Sequence, residues 1–428
     1  MKKVLALILA LVMVLSLAAC GGSGNDNSNS NSNSDSQGSG SQGSTSGSGG
    51  DITDVNLKVW VPEEELSLMQ QLADSFNAAH PEYNFSVELA VEGIDEANSL
   101  LKTDADSAAD IFQVASGGIP ELSQKGLLLP LVYDTSDYAE GAITSVTGDD
   151  GLVYAVPFAP NTFFMYYNSS MFSEDDVKSL ETMLAKDLGG DVSYNVAFPI
   201  NGSWYIESFF FAAGCTLFGS DGKDPTSMDW NNEKGFTAGK YVIDLMKNPK
   251  FIDDADGIGM SLLREGKVGA IFTGTWDAAN VQEALGENYA AAKLPTINLN
   301  GADCQLRNFG DYKTYAVKSN TAYPKAAQEF AAYICNADSQ LARYEDQGVS
   351  PCISSLADDP ALAGDPATAA LVAQSEWYYP QPSIPQMNEY WTPASALCSG
   401  FVNGEITEAN LQAQLDALVQ AVTTNLTD

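Results

Sequence analysis

Between residues 377 and 391 the chain reads Trp-Tyr-Tyr-Pro-Gln-Pro-Ser-Ile-Pro-Gln-Met-Asn-Glu-Tyr-Trp, which places five aromatic rings and three prolines within 15 residues. Each proline fixes its own φ and pushes the residue before it towards an extended conformation. The backbone from Tyr379 to Pro385 therefore reads as a stiff loop, neither a helix interior nor a central strand. A stiff loop holding flat rings suits a ligand with apolar faces and polar edges. A pyranose sugar is such a ligand: its C–H face lies on a ring while its hydroxyls pair with Asp, Glu, Asn and Gln. The competing reading is that these rings plug a core or cover a helix end.

Composition removes several other chemistries. The 428 residues carry 56 acidic against 20 basic side chains, a formal net charge of −36. A chain this acidic is not drawn to nucleic acid or to an anionic lipid surface, and it favours neutral or cationic ligands over phosphorylated ones. His80 is the only histidine. It sits in Ala79-His80-Pro81, which reads as a helix end, so Ser-His-Asp and Cys-His pairs are not expected and zinc sites built on several histidines are excluded by count. No Gly-x-Ser-x-Gly elbow and no Gly-x-x-x-x-Gly-Lys phosphate loop occurs. Neither a cofactor nor a metal is expected.

The N-terminus reads as an address. Lys2 and Lys3 precede an apolar run from Val4 to Leu17, then Ala18, Ala19 and Cys20, the pattern of a secretory leader too short to span a bilayer comfortably. Residues 21–50 are nearly all Ser, Asn and Gly, with nothing apolar to bury, and read as a disordered tether with about 30 Å of mean reach. The five remaining cysteines, Cys215, Cys304, Cys335, Cys352 and Cys398, are widely spaced without metal-type pairing. No disulfide can be named from their spacing, and buried free thiols are expected.

The body from Asp51 alternates strands and helices. Leu57 to Val61 reads as a strand, and Pro62 to Glu65 opens a helix carrying Leu66, Met69, Leu72 and Phe76 at helical spacing, stopped by Pro81. Phe85 to Val91 is a second strand, Asp95 to Thr103 a second helix with Leu100 and Leu101 inward, and Asp110 to Ala115 a third strand. This order predicts a parallel α/β sheet, whose ligands sit beyond the C-terminal strand ends, here Glu63 to Glu65, Glu92 and Ser116 to Gly118. Further on, Asn195 to Pro199 reads as a strand. Asn201 to Ala213 reads as a helix capped by Ser203 with Trp204 in its first turn, and Phe209, Phe210 and Phe211 as core. Lys325 to Asn336 reads as an apolar-faced helix. A terminal helix presents Leu411, Leu415, Leu418 and Val422 as one stripe. At this length two lobes are the default.

Several of these stretches carry a family resemblance. Ser383 to Met387 followed by Tyr390 and Trp391, the strand ending at Trp60, Ala109-Asp110-Ile111, Gly126-Leu127-Leu128, and Gly266 to Phe272 leading to Gly274-Thr275-Trp276 fall in one order. That order resembles the family 1 extracellular solute-binding proteins of bacterial sugar ABC importers, in their maltose and maltodextrin-binding branch. Leu17 to Cys20 resembles the lipobox of bacterial lipoproteins. The resemblance spans about residues 51 to 422. It implies a type II periplasmic-binding-protein-like α/β fold: an N-terminal lobe of 51–159 plus about 309–362, a C-terminal lobe of 160–308 plus about 363–428, and hinge crossings near Asn161 and Asp311. It also implies a leader over 1–20 and acylation of Cys20. The protein would then be a monomer anchored on the extracytoplasmic face of the cell membrane, working with the transmembrane permease of an importer.

By the same resemblance Trp204, Trp276 and Trp391 stack sugar rings, with Tyr390 beside Trp391, and Asn161, Asp311 and the strand-end acids Glu63 and Glu64 bond hydroxyls. Each indole can bury roughly 150–250 Å². One departure stands out: where the branch carries an aromatic and a charged pair after the third strand, this chain has Val114, Gly117 and Gly118, so that lobe builds its contacts differently. The alternatives are a binding protein for a non-glucan oligosaccharide and an extracellular glycoside hydrolase, which also needs aromatics and a carboxylate pair. With 56 acids such a pair can always be found, so acids alone do not discriminate.

Overall fold

A computed structural model describes residues 52–424. The leader, Cys20 and the tether lie outside the described residues.

In chain order the strands are β1 (Thr53–Val61), β2 (Tyr83–Val91), β3 (Ile111–Ala115), β4 (Ala155–Asn161), β5 (Phe164–Asn168), β6 (Tyr194–Phe198), β7 (Phe251–Asp253), β8 (Val268–Thr273), β9 (Tyr289–Ala292), β10 (Thr296–Leu299), β11 (Ala302–Gln305), β12 (Phe309–Val317) and β13 (Tyr379–Pro380). They form two main sheets. The first runs β13-β12-β3-β1-β2 with β4 also on β12, and the second runs β7-β6-β8-β5-β9. β1 is parallel to β2 and β3, and β12 returns antiparallel between β3 and β4. The β12 return makes the first sheet mixed, where the opening strand-helix order predicts parallel strands.

Each sheet is covered on both faces, so its strands are apolar on both sides of the pleat. Val55, Leu57, Val59 and Val61 of β1 face one core with Met69, Leu72 and Phe76, while Trp60 faces the other with Leu101, Phe112 and Val114. In the second sheet Phe163, Met165 and Tyr167 enter the larger core and Phe164 and Tyr166 the opposite one. The helix Leu66–Ala79 covers β1 and β2, its Phe76 ring 5.2 Å from Phe330 of the helix Pro324–Tyr333. The predicted stripe Leu411, Leu415, Leu418 and Val422 is buried on the helix Leu411–Thr424. All five cysteines of the body are free, and Cys215, Cys335 and Cys398 are buried.

Three local expectations fail for physical reasons. Leu100 is 41% exposed while Leu101 is fully buried, because adjacent helix positions cannot share one face. Ser203 caps nothing: the chain turns at Gly202, whose carbonyl accepts from the Tyr205 and Ile206 amides, and the helix spans only Glu207–Ala212. Glu65, at a strand end, is drawn inward instead. Its carboxylate accepts from Gln113 Nε2 (2.7 Å), Tyr315 OH (2.9 Å) and Arg343 Nε (3.2 Å).

The two sheets are joined where β4 ends and β5 begins, and where β12 leaves the second core. A buried polar network holds this junction. Thr162 Oγ1 donates to the Phe309 carbonyl (2.8 Å), Asn308 Nδ2 donates to Thr162 Oγ1 (2.7 Å) and to the Phe163 carbonyl (2.6 Å), and Gln374 Nε2 donates to Asn308 Oδ1 (2.7 Å). The Phe309 amide donates to Glu207 Oε1 at 3.3 Å, and Glu207 is fully buried with its other carboxyl oxygen unpartnered. Burial pushes this carboxyl well above the ordinary glutamate range, favouring its protonated form.

A pH-dependent stability follows. The folded state binds the Glu207 proton more tightly than the unfolded state, so stability falls as pH rises from about 4.5 towards the raised value. Glu207→Gln removes that dependence. Urea unfolding is expected to show the variant gaining on the wild type at pH 8 relative to pH 4, and parallel pH profiles would show that Glu207 is not held neutral.

Candidate functional site

The site is built outward from the second sheet. β8 ends at Thr273, the chain turns through Gly274, and a tight turn Thr275–Asp277 leads into the helix Ala278–Leu285. The Trp276 indole folds back over Gly274, where an added Cβ would stand 2.1 Å from the ring. Asp277 accepts from Thr273 Oγ1 (2.7 Å) and so ties down the start of the helix. Trp204 stands on the turn after β6, its ring 6.1 Å from Trp276 at 51° and 5.5 Å from Phe163. Trp391 lies in the first turn of the helix Asn388–Val402, 6.3 Å from Phe309. All three indoles are partly buried and rest against the same core.

Tyr390 is corrected. It is fully buried, its hydroxyl donates to the Ser203 carbonyl (2.9 Å), and its ring packs against Trp230 and Phe309. A helix turns 100° per residue, so Tyr390 and Trp391 cannot both face the cleft. Tyr390 instead anchors the Trp204 turn from beneath.

At the crossing, Asn161 and Asp311 pair across β4 and β12, and Asn161 Nδ2 donates to Asp311 Oδ1 at 2.5 Å. Asp311 Oδ2 also accepts from the Gly117 amide at 3.5 Å. Glu63 and Glu64 are exposed at the end of β1, and Glu64 is among the carboxylates that act on Lys313.

Lys313 was not anticipated. Its Nζ lies 4.9 Å over the Trp276 ring, reaching across from the first sheet. Desolvation lowers its pKa, opposed by Glu65, Glu64, Asp311 and Asp277. The available signal was the strand period, since Lys313 is two residues from Asp311 on β12 and shares its face. Glu121 was also missed. It accepts from Lys125 (2.5 Å), Lys102 (3.0 Å) and Asn388 Nδ2 (3.1 Å), the last a contact between the two halves. Burial pushes the Glu121 carboxyl up, and the hydrogen bonds and charges of Lys125 and Lys102 outweigh that and hold it below the ordinary range.

Two cavities lie along this line. One of about 100 Å³ is bounded by Asn98, Gly118, Glu121, Met387, Asn388 and Trp391. One of about 520 Å³ is bounded by Glu140, Thr144, Gly310, Asp311, Tyr312 and Pro380. The lining combines rings, amides, hydroxyls and a few carboxylates, the donor set for an uncharged polyhydroxylated ligand. Among the described residues one group has the spacing to hold a metal, His80, Glu82 and Glu329 on the surface. Its donors are already engaged: His80 with Glu82 (3.0 Å), and Glu329 with the Tyr83 hydroxyl (2.6 Å).

Two α/β halves joined by crossing strands define the two-lobed class of solute-binding proteins. The chain belongs to the bacterial extracellular solute-binding protein family, whose model matches residues 71–370. It is similar to the galactooligosaccharide-binding protein of Bacillus subtilis (28% identity over 365 residues, 82% of this chain and 85% of that protein). It is also similar to the maltodextrin-binding protein MdxE of the same organism (29% over 314 residues, 70% and 74%). A solved structure with acarbose is 32% identical, with a TM-score of 0.82, covering 87% of this chain and all of that one.

Because the indole of Trp276 rests on Gly274, Gly274→Ala is expected to displace it. Tryptophan emission and near-ultraviolet dichroism should change while far-ultraviolet dichroism does not; unchanged spectra would mean the ring does not depend on that glycine.

Proposed function

We propose that this chain is the capture subunit of a carbohydrate ABC importer: it encloses an oligosaccharide between its lobes and delivers it, chemically unaltered, to the transmembrane permease. The observation that carries this reading is the set of three indoles, Trp204, Trp276 and Trp391, partly buried on one core, with Trp391 and Glu121 lining one cavity, Asp311 lining the adjoining one, and Lys313 lying over Trp276. Closure requires a ligand that contacts both lobes, because only differential affinity shifts the equilibrium between open and closed forms. Rings on one lobe and hydrogen-bonding groups on the other meet that requirement for a sugar.

Linear malto-oligosaccharides are the first ligand to test, with galacto-oligosaccharides beside them because relatives carry both names. In the same reading, residues 51–159 with about 309–362 form one lobe, and 160–308 with about 363–428 the other. Acylated Cys20 holds a monomer at the outer face of the cell membrane.

The test is a thermal shift with each sugar series, run beside a reducing-end assay. Ligand at roughly 100 times its dissociation constant should stabilise the protein by about 2.7 kcal/mol without new reducing ends. Release of sugar at enzymatic rates would overturn the reading in favour of a hydrolase. Trp276→Ala should weaken binding while leaving the melting temperature without sugar nearly unchanged. A loss of several kcal/mol of stability would instead make that indole a core residue.

A further inference from the structure

The two cavities of the cleft share three lining residues, Gly117, Gln381 and Ser383. Gln381 has the longest side chain of the three. Its backbone is held between Pro380 and Pro382, and β13, which ends at Pro380, pairs with Gly310 of β12. Its Oε1 accepts from Trp204 Nε1 at 3.3 Å, which ties the carboxamide to the indole platform. Its Nε2 reaches the opposite lobe, where a Cβ added to Gly117 would stand 2.3 Å from it. Neither Nε2 proton has an acceptor among the described residues. The side chain thus stands on the boundary the two chambers share and leaves two donors beside it.

We propose that Gln381 is the residue that sets the length of ligand this protein selects. The inference rests on the oligosaccharide reading above. The carboxamide is a partition: a linear sugar held on the indoles ends against it where the two chambers meet and takes a hydrogen bond from Nε2, and a longer one gains nothing by further units. Gly117 belongs to the same device, since any side chain there would push the amide aside. This accounts for a glycine after β3 at a position whose backbone conformation does not require one: Gly117 is not among the positive-φ residues.

The experiment is calorimetry of the whole protein with linear α-1,4-linked glucose oligomers, from the disaccharide to the heptasaccharide, and with the β-1,4-linked galactose series. In the wild type, affinity should rise with length and then level off. Gln381→Ala joins the chambers, so its plateau should move to longer ligands. The affinity ratio of longest to shortest should grow roughly tenfold, on the scale of one hydrogen bond lost by short ligands and of further sugar units held by long ones. Gln381→Asn, which shortens the amide by one methylene, should fall between.

Gly117→Ala should disturb the length profile in the wild type and be silent in the Gln381→Ala background, a coupling readable as a double-mutant cycle. Melting temperatures without sugar separate folding defects from altered selection. If Gln381→Ala keeps the wild-type length profile, or if Gly117→Ala acts equally in both backgrounds, the partition is overturned while the binding function stands. If the wild type binds neither series, the oligosaccharide reading falls and the partition with it.

Discussion

Strand β12 is the constraint on which the rest depends. It begins inside the second core at Phe309, crosses the junction, and ends as a central strand of the first sheet between β3 and β4. One strand therefore belongs to both halves. A peptide that leaves one hydrophobic core for another must carry its polar groups through a buried zone, where each unmet donor or acceptor costs about 1–3 kcal/mol. Thr162, Asn308, Gln374 and Glu207 meet that demand with side chains, and this is why buried polar residues concentrate at the junction. The same strand then delivers Asp311 and Lys313 to the cleft within a few residues. The junction and the lining of the larger cavity are consecutive parts of one segment.

The cleft is asymmetric in chemistry. The half built on β5 to β9 supplies the indoles, each stiffened by a different local device: Trp276 by its fold over Gly274, Trp204 by a turn and by Gln381, Trp391 by its helix. The half built on β1 to β3 supplies little aromatic surface, since the loop after β3 is Ser116, Gly117 and Gly118. Its contribution is backbone amides, Glu121 and the ammonium of Lys313. An ammonium lying on an indole face, with carboxylates around it, keeps a local balance of charge in a chain whose net charge is −36. That balance favours neutral ligands on both sides of the cleft.

Much of the fold was legible because its signals are local. Alternating apolar residues around Trp60, helical spacing from Met69 to Phe76 and the stripe from Leu411 to Val422 are periodic, and periodicity survives whatever the tertiary context. The site was legible where a residue type and a turn coincide, as at Gly274-Thr275-Trp276. It failed where facing had to be inferred without a helix phase. As parts of one aromatic loop Tyr390 and Trp391 share a role, whereas the helix that begins at Asn388 sends one ring inward and the other to the cleft. Ser203 looked like a cap because its type fits, but the turn at Gly202 satisfied those amides first.

By itself the sequence determined the order of most strands and helices, the acidic and histidine-poor chemistry, and the turn that carries Trp276, since these follow from composition or from neighbours a few residues apart. Tertiary structure alone decided that Gln381 stands between Trp204 and Gly117, that Lys313 covers Trp276, and that Glu121 reaches Asn388. Those pairs are separated by 37 to 267 residues, and the Gln381 contacts lie 177 and 264 residues apart. The physical reason is that a side chain's polar partner across a cleft is set by how two sheets are mounted on a shared strand, and no local pattern carries that geometry.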